Sequence, residues 1–178
     1  TVVNNNDAHY IAFPGSYLAE AAGLNGALRF PPDAYEPEIS FLISKLIRNT
    51  DIVLDIGANV GLHTVSFAQA ASSGHVYAFE PVVEMAERLS QNCALNRVEN
   101  VTLVPCALGS QDETLDMAVN IAGAGLEGTS SLAGSFHVED NPQNYETRAV
   151  PVRRLDDVVE ALGVSGRIAF IKIDTEGF

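Results

Sequence analysis

Long apolar runs are missing from this chain. No window holds about 18 consecutive apolar residues, so no helix of bilayer-spanning length is predicted. The N-terminus, TVVNNNDAHY, has neither the basic start nor the apolar stretch of a secretory signal. It also lacks a starting Met and is read as a processed or cloned segment. Cysteine is scarce: Cys93 and Cys106 lie far apart, with no CxxC spacing and no His at metal-ligand spacing. That pattern argues against structural zinc, and two buried reduced thiols in a cytoplasmic protein are expected rather than a disulfide. Cations are few, with 10 Lys and Arg against 23 Asp and Glu and a net charge of −13. None occurs between Val98 and Thr147, a stretch with eight acids. Phosphate backbones and anionic membrane surfaces both need clustered cations, so neither is an expected partner. Most of these acids need no role beyond solubility.

What is present suffices for one domain, 178 residues with 47% hydrophobic content. Residues 1–33 read as an N-terminal extension of short strands and turns, and residues 34–178 as the main domain. Ile39, Leu42, Ile43 and Leu46 repeat at helical spacing between Tyr35 and Arg48, predicting an amphipathic helix. DIVLDIGANVG follows as a strand and glycine-containing turn, HTVSFAQAA as a helix and HVYAFEP as a second strand. VVEMAERLSQNCALN is then a helix and VTLVPCALG a third strand. This alternation predicts an α/β fold with a parallel sheet and helices on both faces. The rhythm breaks at Ser110. ETLDMAV and TRAVPVRR alternate as strands around a segment rich in Gly, Ser, Asn and Asp, so an inserted β-hairpin or flap is expected over about 110–153. RLDDVVEAL then reads as a helix and IAFIKID as a fourth strand. Because I-A-F-I-K-I is apolar on both faces, it is expected to lie centrally. The domain is therefore read as truncated after the fourth core strand, with further C-terminal strands missing from this chain.

Four strand ends carry the chemistry. In DIGANVG, Gly57 lets backbone approach a ligand closely, and the next helix opens with N–H groups. A dinucleotide fingerprint, G-x-G-x-x-G, fails here because Asn59 and Leu62 hold its second and third glycine positions. Asp55 would repel a pyrophosphate but suits a cationic ligand bearing an amino group and a sulfonium. Glu80 ends the second strand and can accept hydrogen bonds from both ribose hydroxyls. Standing alone it would be a solvated acid before Pro81. Cys106, Ala107 and Leu108 are expected to line an adenine slot, with plain core packing the alternative. Asp174 ends the fourth strand, where it can meet the methionine part of such a ligand or a substrate hydroxyl. Glu176 is equally readable as a helix N-terminal acid.

The order DIGANVGLHT, AFEP, LDD and IKIDTEGF over residues 35–178 closely resembles the FkbM-type methyltransferase family. The resemblance implies a Rossmann-like class I methyltransferase fold, S-adenosyl-L-methionine as donor and most often a hydroxyl oxygen as acceptor, on a sugar, glycolipid or secondary metabolite. It implies that Asp55, Gly57, Ala58, Asn59 and Gly61 hold the methionine part, and that Glu80 and Pro81 flank the ribose. By the same resemblance Asp174 lies beside the transferring methyl. Glu36, in YEPE, looks like an acid these proteins place near the cofactor, and GTSSL at 128–132 resembles part of the family insert.

A hydroxyl is a weak nucleophile until deprotonated, so a general base is useful. Asp174 is the first candidate and His137, in the flap, the second. His63 reads as a helix-start residue, with a cofactor contact the alternative, and His9 and His75 carry no case. Mg²⁺ on Asp174 and Glu176 is the less favoured route, since no third ligand is evident. Two other functions stay open: N-methylation, which commonly uses an (Asn/Asp)-Pro-Pro-aromatic tetrad where this chain has Asp-Thr-Glu-Gly, and a non-catalytic cofactor-binding domain.

Overall fold

A computed structural model of the protein describes residues 2–5, 8–11, 36–121, 130 and 142–175. The chain runs through β1 (Val2–Asn5), β2 (Ala8–Ile11), α1 (Pro37–Leu46), β3 (Ile52–Ile56), α2 (Leu62–Ala70), β4 (His75–Phe79) and α3 (Val83–Leu95). It continues through β5 (Val101–Val104), β6 (Ala107–Leu108), β7 (Glu113–Asn120), β8 (Tyr145–Arg153), α4 (Leu155–Ala161) and β9 (Ile168–Ile173).

The centre is a parallel sheet ordered β5-β4-β3-β9. Strand β3 is buried on both sides, as an interior parallel strand must be. Its alternate residues divide the core. Val53 packs with Val76 against Ile43 of α1 and Phe67 and Ala68 of α2. Leu54, Ile56 and Phe79 face the opposite layer, against Cys106 and against Leu155 and Val158 of α4. Helices therefore cover both faces, and the α/β fold is the one expected. Cys93 and Cys106 are buried, free, and in separate clusters.

The third expected strand is two. Val101–Val104 stay in the parallel sheet, whereas Ala107–Leu108 leave it to pair with β8. Pro105 separates them; lacking an N–H, it cannot continue a ladder. Ala107 thus lies in a second sheet, ordered β6-β8-β7, and not at the end of the third core strand. Strands β7 and β8 form the expected antiparallel hairpin, from Glu113↔Val152 to Asn120↔Tyr145. Its apolar alternates Met117, Val119 and Val150 pack on Val82, just ahead of α3.

Among the described residues, strand β9 lies at an edge of the sheet, with Ile171 47% and Ile173 69% exposed. Helix α1 buries Ile43 but leaves Leu42 and Leu46 exposed, so its stripe is only partly used. Strand β1 pairs antiparallel with β2, and β2 packs on α3. Tyr10 is fully buried and donates its hydroxyl to the Leu62 carbonyl at 3.0 Å. The fully buried Asn92 side chain accepts from the Ile11 N–H at 2.9 Å and donates to the Val60 carbonyl at 2.8 Å. No helix among the described residues is long and apolar enough to cross a membrane.

Candidate functional site

Parallel pairing brings three distant acids to one end of the sheet. Asp55 stands in register with Ala78 of β4 and Lys172 of β9. Side chains two apart along a strand share a face, which places Glu80 beyond Ala78, and Asp174 beyond Lys172, on the side of Asp55.

Asp55 is fully buried. Its Oδ2 accepts a 2.6 Å hydrogen bond from the Thr64 hydroxyl of α2. Its Oδ1 accepts no hydrogen bond, and Lys172 Nζ lies 3.6 Å away. The acid expected to face a cationic ligand is therefore covered by the chain's own cation, because a buried carboxylate needs a compensating charge.

Glu80 is only 6% exposed. Its Oε2 accepts the Asn59 N–H at 2.8 Å and its Oε1 the Val82 N–H at 2.9 Å. Burial is the main influence on it and pushes its carboxyl up to about 7; the two N–H bonds oppose this, as does Lys172, while Asp55 reinforces it. Each oxygen takes one N–H and keeps a second lone pair, so two further hydroxyl donors fit this carboxylate.

The turn between β3 and α2 is already engaged. Gly57 and Ala58 donate their N–H groups to the Phe79 carbonyl, and Gly61 donates to that of Ala58. With Asn59 bonded to Glu80, the turn expected to offer N–H groups to an anion holds a carboxylate of its own chain. Gly57 has φ +75°, and a Cβ there would come within 2.0 Å of the Asp174 carbonyl oxygen. The close approach that its glycine permits is thus made by the end of β9. Gly61, at φ +84°, opens α2, and Asn59 is also left-handed at φ +50°.

Asp174 is held by its backbone, donating its N–H to the Ile56 carbonyl at 3.0 Å, while its side chain is 56% exposed. Lys172 Nζ lies 3.2 Å from Asp174 Oδ2. Pro81 is half-buried beside Glu80, and Ala107 is half-buried on β6. Glu36 caps α1 in a left-handed conformation and meets Nε2 of His63, which stands at the start of α2 as expected, at 2.7 Å. His137 and Glu176 lie outside the described residues, as does GTSSL except Ser130, whose hydroxyl accepts the Asn120 N–H at 3.1 Å. No group of three His, Cys, Asp or Glu suited to a metal occurs among the described residues.

Lys172 and Thr64 were missed by sequence reasoning. The signal for Lys172 was a lone cation inside an apolar strand, two residues before Asp174 and so on its face. Thr64 carried no comparable mark.

A family model described as the methyltransferase FkbM domain matches residues 55–178. The chain is 26% identical over 203 residues to the AMB antimetabolite synthetase AmbE of Pseudomonas aeruginosa, covering 98% of this chain and 8% of that protein. It is 26% identical over 137 residues to Methyltransferase 1 of Beauveria bassiana, covering 70% of this chain and 54% of that one. The chain thus spans about half the length of one curated relative and under a tenth of the other. Among solved structures it is similar to M. jannaschii TYW2 in complex with AdoMet, with a TM-score of 0.43 and 17% identity, over 58% of this chain and 42% of that one.

Proposed function

Because this chain belongs to the FkbM methyltransferase family, we propose that it uses S-adenosyl-L-methionine to methylate a hydroxyl oxygen of a small or carbohydrate acceptor. A sugar, a glycolipid and a secondary metabolite are the acceptor classes in view. The observation that carries the proposal is the gathering of Asp55, Glu80 and Asp174, from three strands, on one face at one sheet end. Such strand ends are where α/β sheets bind ligands.

Glu80, with two lone pairs left after its N–H bonds, is assigned to the ribose hydroxyls, and Pro81 to the wall beside it. Gly57, Ala58, Asn59 and Gly61 shape the floor for the methionine part, with Glu36 at its margin, and Ala107 is assigned to the adenine slot. Asp55 acts from beneath, through Lys172. When bound, the cofactor supplies a methyl group on a sulfonium, so much of the driving force is already present in the donor. The chain's part is to align the acceptor oxygen and exclude water. Asp174, exposed at the strand end, accepts the proton that leaves the acceptor hydroxyl. His137 is the second candidate for that role.

The acid-rich surface favours an uncharged acceptor over nucleic acid. The likeness to an antimetabolite synthetase over 98% of this chain supports a secondary-metabolite acceptor within that class. We place the reaction in the cytoplasm and without Mg²⁺.

Calorimetry with S-adenosylhomocysteine, followed by transfer of labelled methyl to panels of hydroxyl and amine acceptors with and without a strong chelator, tests the proposal. Binding and chelator-resistant transfer to hydroxyls are expected. Absence of binding, or transfer only to amines, would overturn it.

A further inference from the structure

We infer that Lys172 is a positioning residue that presents the Asp174 carboxylate to the acceptor and is itself anchored from below by Asp55. The inference deepens the proposed function, resting on Asp174 as the group that meets the acceptor hydroxyl.

Four polar side chains run in line from the interior to the strand end. Thr64 donates its hydroxyl to Asp55 Oδ2 at 2.6 Å. Lys172 Nζ lies 3.6 Å from Asp55 Oδ1 and 3.2 Å from Asp174 Oδ2. Exposure rises along this line, from 0% at Asp55 through 11% at the Lys172 side chain to 56% at that of Asp174.

A lysine ammonium on a flexible four-carbon stem does not orient a neighbour unless it is itself held. Here it is held. The register pairing of Asp55 with Lys172 sets both on one face of adjacent strands. Asp55 Oδ1 accepts no hydrogen bond, so that buried carboxylate has Lys172 as its charge compensation among the described residues. A fully buried Asp55 has no surface to offer a ligand; its carboxylate instead anchors the ammonium.

Asp174 gains what Lys172 has been given. Its backbone is pinned by the N–H bond to Ile56 and by the approach of its carbonyl to Gly57. Without a partner, the exposed carboxylate would sample several rotamers. Lys172 engages Oδ2 and leaves Oδ1 to receive a proton. A base misplaced by about 1 Å can cost on the order of a hundredfold in rate.

Three variants test this in the full chain. Lys172→Met is expected to lower kcat about tenfold or more while the S-adenosylhomocysteine Kd stays within about threefold. Because that change strands the buried Asp55 charge, the pair Asp55→Asn with Lys172→Met removes both charges together. It is expected to fold, to remain slow, and to show the Asp174 side chain away from its wild-type position in a crystal structure. Lys172→Met in an Asp174→Asn background is expected to cost little beyond Asp174→Asn alone. Wild-type kcat in the Lys172 variants, an unmoved Asp174 carboxylate, or multiplicative loss in the double variant would overturn the inference. If the wild type neither binds S-adenosylhomocysteine nor transfers methyl, the proposed function fails, and the position of Asp174 in the variant crystal still decides the role of Lys172.

Discussion

Glu80 concentrates in one side chain the cost of burying a carboxylate and the ribose role proposed for it. Its carboxyl is raised from 4.5 to about 7. Below 4.5 it is protonated in both folded and unfolded chains, and above 7 it is ionised in both. Between these values the folded state holds the extra proton, so stability falls as pH rises through this window. The contribution is on the order of 3 kcal/mol. Urea denaturation at pH 5 and pH 8 is expected to show the protein more stable at pH 5, and Glu80→Gln is expected to remove most of that difference. Ribose hydroxyls prefer the ionised form, so S-adenosylhomocysteine should bind more tightly at pH 8 than at pH 6. Glu80→Ala is expected to weaken binding by about 1–3 kcal/mol, several-fold to a hundredfold, as read by calorimetry. Asp174→Asn should reduce turnover far more than cofactor affinity; equal losses would assign Asp174 to binding alone.

At the scale of elements, periodicity and turn chemistry revealed the parallel sheet, the helices and the inserted hairpin. Apolar runs of four to six residues bounded by acids and glycines leave few alternatives. The breaks were less legible. Pro105 divides one apolar run between two sheets, a matter of which strand lies alongside, and composition does not encode that. Within the site, Asp55, Glu80 and Asp174 were visible as acids at strand ends. That the first is sealed beneath Lys172 and Thr64 depends on a register no local pattern records. Two substitutions test these joints. Gly57→Ala places a Cβ 2.0 Å from the Asp174 carbonyl at φ +75°, where an L side chain is strained. It should cost about 1–3 kcal/mol or more and push β9 from β3, lowering the thermal midpoint. Asn92→Ala leaves the Ile11 N–H and the Val60 carbonyl without their partner. A loss of about 1–3 kcal/mol is expected, with faster hydrogen exchange at Ile11.

For the whole molecule, a net charge of −13 acts as a field. Self-repulsion of this kind is screened by salt, so raising ionic strength from about 0.01 to 0.1 M, which shortens the screening length from about 30 to 10 Å, is expected to raise the thermal midpoint. Scanning calorimetry at the two salt levels checks this. The fold turns the same excess of acid to local use by gathering three carboxylates about one lysine at a sheet end. The most direct test of that assignment is a crystal structure with S-adenosylhomocysteine bound. Both ribose hydroxyls are expected on the Glu80 carboxylate, with the sulfur facing Asp174. An adenosyl group elsewhere on the molecule, or a Glu80 carboxylate still sealed away from it, would contradict the account.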